Sequence, residues 1–410
     1  MSARPRVILA FVTPIALLFP LAACAPDTAP STLAPPHIVD SAGVRVVTYD
    51  YRPTATAPFQ LAAEPHYRHG ANPGDYSFQE ASAGRLLPDG TVVVYDQWNV
   101  ELVAFSPDGR THTVLAAEGE GPGEVGHVDA IFTLGQDSVL IADLNLGRVT
   151  LLVGGSVARI MTLPRSARLD VKGIGSPGEL LLATSYGSFS DSEAWRSGHV
   201  ARFDVESGAL DTVASYDFMP PIPSGLEWEP IPAYGEVTVT TGHFVQTRSD
   251  RPEVTWRLPD GTATQLVRWQ ADPTLLTEEW MQSIEAQHRM DVRKHSPNLP
   301  EAAITASTRR IMAIYRASIG RPMPLFADPF TDAEGRVWLP SYKPGGERHS
   351  VPPYTVIAPY GTWLGTVDTP PRFRVLDVAG GLVLGMQVDE MDVESVVVYE
   401  LVGRQAPRSQ

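Results

Sequence analysis

The chain has 410 residues, 43% hydrophobic and 19% charged, with a formal charge of −15 and one cysteine, Cys24. A single thiol excludes a disulfide framework and any multi-thiolate zinc or iron–sulfur site. The acidic balance, without a lysine- or arginine-rich run, argues against a nucleic-acid partner, which needs a basic face.

With 34 glycines and 37 prolines and no collagen-like period, the composition predicts many turns between short strands. Lysine occurs only at 172, 294 and 343. A GC-rich genome, which favours arginine codons, accounts for that usage.

"MSARPR" carries Arg4 and Arg6, and "VILAFVTPIALLFPLAA" (7–23) has no charge. A basic start, an apolar run and a small-residue exit form the pattern of an export signal. The run is at the short limit for a span of about 20 residues, and Pro14 and Pro20 interrupt it, which disfavours a transmembrane anchor. The exit "LAAC" (21–24) resembles the lipobox of bacterial lipoproteins. That resemblance implies cleavage before Cys24, a diacylglycerol on its sulfur and an acylated, palmitate-type amino terminus. The acyl chains, at about 0.8 kcal/mol per buried methylene, would hold the protein at a membrane.

Removal of 1–23 loses Arg4 and Arg6 and takes the charge from −15 to −17. Residues 24–37, with "APDTAPSTLAPP", read as a lipidated cysteine and a proline-rich tether extending about 3.1 Å per residue. Ala25 follows the cysteine in place of aspartate, which by the same resemblance implies the outer membrane, on its periplasmic or surface face.

"GVRVVTYD" (43–50) reads as a strand, expected to complete the last repeat so that no sheet edge is left open. From about residue 78 a unit of four short strands recurs, with starts near 78, 126, 166, 234, 321 and 371. One hairpin turn appears in "LPDGTVVVYD" (87–96), "LGQDSVLIAD" (134–143), "GSPGELLLAT" (175–184), "DAEGRVWLPS" (332–341) and "AGGLVLGMQV" (379–388). A later turn appears in "FSPDGR" (105–110), "VESGAL" (205–210), "LPDGTA" (258–263) and "APYGTW" (358–363). Asp-Gly and Gly pairs supply the positive φ that tight hairpins need. A four-strand repeat of this length predicts an all-β, six-bladed propeller over 38–402, with a short tail at 403–410. The fourth unit (235–270) reads as the least regular, so five or seven blades are the alternatives.

Two crossings, "GANPGDYSF" (70–78) and "GEGPGEVGH" (119–127), share Gly-x-x-Pro-Gly-acid-apolar. They resemble those of six-bladed, NHL-like propeller lipoproteins of environmental bacteria. "ADLNLGRVTLL" (142–152) matches the NHL-type turn with Asp143, Asn145 and Arg148. "YDQWNVELVAFSPDG" (95–109) keeps Asp96 and Asn99 but has Glu101 where a basic residue is expected. The resemblance implies a fold and is silent on ligand.

The stretch 274–320 breaks the rhythm. "TEEWMQSIEAQHRMDV" (277–292) and "PEAAITASTRRIMAIYRASIG" (300–320) read as a helical hairpin between the fourth and fifth units, with Thr277 as N-cap. Ile304, Ile311, Tyr315 and Ile319 are expected on its buried face, before Gly320 and Pro322 end it. Such an insert either seals the ring or roofs one mouth of its channel.

Glu80, Asp129, Asp170 and Asp328 stand at comparable places before the innermost strand of their units. They are candidates for the channel mouth, where propeller lactonases hold calcium; the other reading is local pairing with strand ends or arginines. The asparagines of the lactonase pattern are missing beside them. "DEMDVE" (389–394) lacks the glycine and frame of an EF-hand loop and reads as a solvated turn with Asp389, Glu390, Asp392 and Glu394. His66, His69 and Glu64 in "EPHYRH" have no spacing that puts both rings on one face, which disfavours a metal. No nucleophile elbow, phosphate loop or His-Glu-x-x-His helix occurs. Trp98, Trp256, Trp338 and Trp363 either stack on sugars or pack between blades.

These readings lead to a lipid-anchored envelope protein whose propeller binds a protein, peptide or glycan without catalysis. No cofactor is expected for such a protein; the alternatives are a metal-dependent hydrolase or lyase of lactonase type, for which calcium is the candidate ion, and an envelope component acting only through protein contacts.

Overall fold

A computed structural model describes residues 34–54, 56–70, 74–163, 169–176, 178–184, 195–222, 224–226, 228–344 and 353–404. Cys24, the export signal and most of the tether lie outside the described residues. Among the described residues no helix is long and apolar enough to cross a membrane.

Six sheets stand as six blades, each built on an antiparallel meander. Blade one comprises Ala81–Leu86, Val92–Asp96, Glu101–Phe105 and His112–Ala116, and blade two Val128–Thr133, Ser138–Asp143, Arg148–Val153 and Ser156–Thr162. Blade three is Leu169–Ser176, Glu179–Thr184, Arg196–Asp204 and Leu210–Met219. Blade four is Gly235–Thr240, His243–Arg248, Glu253–Arg257 and Ala263–Trp269. Blade five begins with the two-residue strand Phe330–Thr331 and continues through Val337–Pro340, Tyr354–Ile357 and Trp363–Val367. Blade six has Phe373–Ala379, Leu382–Val388 and Glu394–Gly403.

The first strands of the blades neighbour one another in turn and line a central channel. The second strand of blade one, Val92–Asp96, is buried along its whole length, and the second strands of the other blades are buried over half of theirs or more. Their Val/Leu/Ile side chains face the neighbouring blade on both sides, and each fully buried one contributes roughly 1.5–3 kcal/mol. Leu86, Phe105, Leu384 and Val398 pack blade six on blade one, and Tyr95, Ile131 and Ile141 pack one on two. The Asp-Gly turns behave as their residues require: Gly109 has φ +66°, and a Cβ there would lie 2.4 Å from the Tyr67 ring.

Ring closure differs from expectation. Val44–Tyr49 pairs in parallel with Ala263–Trp269 on the outer edge of blade four, and His37–Ser41 adds outside it. The last blade is completed instead by Phe59–Leu61 and Tyr67–His69, both antiparallel to Glu394–Gly403. Aromatic chemistry explains the first placement. The Tyr49 hydroxyl accepts from Trp363 N–H at 2.8 Å and donates to Gly361 O at 3.2 Å, which fastens the strand between blades four and five.

Blade four is also regular, contrary to its sequence reading, and carries six strands with the two N-terminal additions. Blade five is the irregular one. Its innermost strand is cut short after the helical insert re-enters the ring.

The insert consists of a 3-10 turn, Glu278–Trp280, and two helices, α1 (Met281–His295) and α2 (Glu301–Arg316). Thr277 occupies the expected cap position but makes no side-chain capping bond. The buried face of α2 is Ile304, Thr308 and Met312, a spacing of four. Ile311 and Tyr315 are only partly buried, and Ile319 lies past the helix end, 41% exposed. Gly320, at φ +85°, turns the chain back as expected.

Candidate functional site

Asp129, Asp170, Glu236 and Arg374 are each the second residue of an innermost strand. Glu80 immediately precedes blade one's first strand, and Asp328 stands two residues before blade five's. All six therefore mark the same end of the channel. Glu236 was missed in the sequence, although "GEVTVT" sets it in register with Asp129 in "VDAIFT" and Asp170 in "LDVKGI".

The four predicted acids do not gather into one ligand set, and among the described residues no three His, Cys, Asp or Glu side chains meet as metal ligands. Asp129 lines the channel and accepts the Leu144 N–H at 2.7 Å. Burial raises its pKa, the Leu144 bond and His127 oppose this, and the Asp170 and Asp143 charges add to it. Asp170 holds Lys172 at 3.2 Å. Asp328, at φ +42°, is raised by burial and held back by Arg374 and Lys172. Glu236 is pushed up to about 8 by burial and the Asp328 charge, against Lys172 and the Asp328 N–H. The channel measures about 990 Å³, and its mouth interleaves acids with Lys172 and Arg374.

Glu80 faces the insert instead. Lys294, near the end of α1, stands 3.7 Å from Glu80 and 4.0 Å from Glu394. The insert is rooted on the opposite side of the ring. At its stem Leu276 N–H donates to Arg321 O at 3.0 Å and Leu276 O accepts the Gly320 N–H at 2.8 Å, Leu325 N–H reaches Ser249 O at 2.7 Å, and Arg321 forks onto Glu229 at 2.9 and 2.6 Å. Ile231, Leu276, Met281, Ile284, Met312 and Met323 bury the root. At 1.5 Å per residue, α1 is about 22 Å long, enough to reach from blades four and five to blades six and one. The insert therefore roofs the mouth.

Beneath α1 lies a chamber of about 750 Å³, which shares Ser82 and Arg374 with the channel. Phe78, Met386 and Val388 give it an apolar floor, and Gln287, Met290 and Asp291 hang from above. Gln287 is 3% exposed; its amide nitrogen donates to Asp291 at 2.9 Å, while its Oε1 has no partner among the described residues. The Ser82 hydroxyl is likewise buried without a partner. Glu394 accepts the Ala81 N–H at 2.9 Å, and burial raises its pKa. Arg374 donates to Ala81 O at 2.6 Å, and Arg293 is turned back to Glu301 at 3.1 Å.

The remaining sequence candidates have structural duties. Asp143, 2% exposed, accepts Gly126, His127 and Leu146 N–H groups at 2.7, 3.1 and 2.9 Å. Arg148 holds the Gly-Pro-Gly crossing through the carbonyls of Glu120, Gly121 and Glu124. Blade one repeats the plan with Asp96 under Gln79 and Glu80, while Glu101 takes the Tyr76 hydroxyl at 2.7 Å. His69 is wedged between Gly109 O and Tyr76 N–H, both at 3.0 Å, and His66 stands 3.8 Å from Glu400. In the "DEMDVE" turn, Asp389 caps Met391 and Val393, and Asp392 pairs with Arg372. Trp256, Trp338 and Trp363 are buried, whereas Trp98 is exposed.

No family model matches the chain. No curated protein matches it in sequence. Solved structures resemble it at low identity. A Bacteroides fragilis protein taken to be exported is 9% identical, with 88% of this chain and 100% of that one covered and a TM-score of 0.49. A member of the DUF4221 family from Bacteroides vulgatus is 11% identical over 86% and 100%, with a TM-score of 0.49. Regucalcin from Agrobacterium tumefaciens, a calcium-binding protein, is 11% identical over 88% and 98%, with a TM-score of 0.40. The class defined is the six-bladed β-propeller. At these identities the likeness is one of fold, and propellers of this kind differ widely in function.

Proposed function

We propose that the chain is an exported, lipid-anchored protein that uses the roofed mouth of its propeller to bind a ligand without transforming it. The strapped chamber is the observation that carries this reading: a concavity of about 750 Å³, in the size range of small-ligand pockets, with an apolar floor and a few convergent polar groups. The acids beside it support the same reading, since Asp129 and Asp170 are each engaged by a local donor or cation. The signal-like start, "LAAC" and the proline-rich stretch support attachment through Cys24 at the envelope, with the outer membrane as the site. The ligand is a small molecule or the side chain of a peptide, protein or glycan, presented to the mouth.

The test is a panel of amines, carboxylates, sugars and short peptides, followed by thermal stability of the detergent-solubilised full chain and by mass analysis of each ligand. Saturable stabilisation by one class, with that ligand recovered intact, is the expected result. A chemically altered ligand would replace this reading with an enzymatic one, and stabilisation by no class would refute it.

A further inference from the structure

We infer that the channel holds a second site, at Arg85, for a monocarboxylate carried on an apolar body. The site goes beyond the roofed chamber and does not depend on it. Arg85 is the fifth residue of Ala81–Leu86, so it sits roughly 15 Å along the channel from the mouth that Glu80 marks. It lines the channel with Phe132, Ile174 and Leu376 and is half-buried there.

The guanidinium is fixed at one corner only. Nη1 donates to Gly84 O at 2.7 Å and to Leu376 O at 3.3 Å, and the central carbon lies 5.9 Å from the centre of the Phe132 ring. Those direct contacts with described residues use both Nη1 protons. Nε and Nη2 keep three protons between them, unpartnered among the described residues and not sealed from solvent. That edge is the one on which a guanidinium takes both oxygens of a carboxylate side-on.

The acids of the channel wall on this side do not fill it. Asp377, 9% exposed, accepts the Leu86 N–H at 2.8 Å and meets Arg85 through charge without an ion pair. Asp332, 5% exposed, is taken by Arg336 and by the Trp338 Nε1–H at 2.6 Å. Their presence favours a ligand of single charge over a dianion, because each added negative charge meets the same repulsion. Phe132, Ile174 and Leu376 give an apolar body a surface to cover.

The experiment is calorimetric titration of the full chain in non-ionic detergent with hexanoate, methyl hexanoate, hexan-1-ol and inorganic phosphate, with blank micelles subtracted. Hexanoate is expected to bind at least roughly tenfold more tightly than the ester or the alcohol, as one charge-assisted pair requires, and phosphate more weakly. Arg85→Lys keeps the charge that faces Asp377 but lacks the fork. It should weaken hexanoate roughly tenfold and leave the ester unchanged, a split that loss of a merely structural arginine would not give. Arg85→Met should abolish the preference for acid over ester; if it does not fold, Arg85→Lys and the ester carry the test. Equal binding of acid and ester, unchanged hexanoate binding in Arg85→Lys, or phosphate binding as tight as hexanoate overturns the inference. So does a loss confined to Lys172→Gln, which would seat the carboxylate at the mouth. If another ligand class stabilises the chain and hexanoate does not bind, the inference falls and the binding reading stands. If hexanoate binds through Arg85 and no ligand engages the strap, the inference stands and the roofed-chamber reading falls. If nothing binds, both fall.

Discussion

Lys294, on a helix rooted at blades four and five, stands 3.7 Å from Glu80 at the start of blade one, across the mouth of the ring. Two of the three lysines in the chain, Lys172 and Lys294, sit at that mouth among its acids. A codon preference explains the scarcity of lysine but not this placement.

The Lys294 pairing is exposed and should add little to global stability, within about 1 kcal/mol. Lys294→Ala is expected to leave the urea midpoint nearly unchanged while speeding amide exchange in α1. A large loss of global stability would mean that the strap is part of the fold's core and cannot open.

Attachment is tested by Cys24→Ser. The variant is expected to accumulate as an unprocessed or soluble form in cell fractionation. A variant that still floats with membranes and is cut at the same site would contradict lipidation.

The crossing motif predicts a specific stability loss. Asp143→Ala leaves three backbone N–H groups without their acceptor in a buried turn, and should cost on the order of 3 kcal/mol in chemical denaturation. Asp137→Ala, on the exposed hairpin, should stay within about 0.5 kcal/mol. Equal effects would show that Asp143 is not the keystone of the turn.

Glu236 sets a pH dependence. Its pKa is raised from 4.5 to about 8 in the folded state, so the native protein holds a proton that the unfolded chain has lost. Stability from this group is therefore full below about pH 4.5 and declines as pH rises toward 8. Asp129, Asp328 and Glu394 are raised as well and act in the same direction. With water in the channel screening part of the effect, Glu236→Gln should gain on the order of 2 kcal/mol at pH 8 relative to pH 5. A melting temperature of the parent chain that rises from pH 5 to 8 would contradict it.

The mouth acids also bear on the metal-dependent alternative. Calcium is expected to leave the melting temperature unchanged both in the parent chain and in Asp129→Asn/Asp170→Asn. A gain in the first that vanishes in the second would restore the calcium-dependent hydrolase reading.

The blades were legible because each rests on local chemistry: an Asp-Gly or Gly turn, then an unbroken Val/Leu/Ile run. The strand pairing of the N-terminal segment was not. Val44–Tyr49 and Phe59–Leu61 are similar in pattern, and partners distant in sequence, among them Gln265, Arg268, Gly361 and Trp363, decide which one joins which blade. The positions of Glu80, Asp129, Asp170 and Asp328 at one end of the channel could be read from strand phase. Their separation, with Lys172 and Arg374 between them, depends on how six strands are arranged around the ring. Glu236 was readable by the same phase and was passed over because its unit looked irregular. Gln287 gave no signal in sequence, since a glutamine in a helix becomes informative only when both of its amide atoms can be followed to partners.

The most direct measurement is hydrogen exchange of the full chain with and without a saturating concentration of the panel ligand that stabilises it most, resolved to peptides. Ligand held beneath the strap predicts stronger protection of Met281–His295 and of Ala81–Leu86, with His112–Ala116 on the outer edge of blade one unchanged. Binding without added protection in Met281–His295 would place the ligand elsewhere and contradict the roofed chamber as the site.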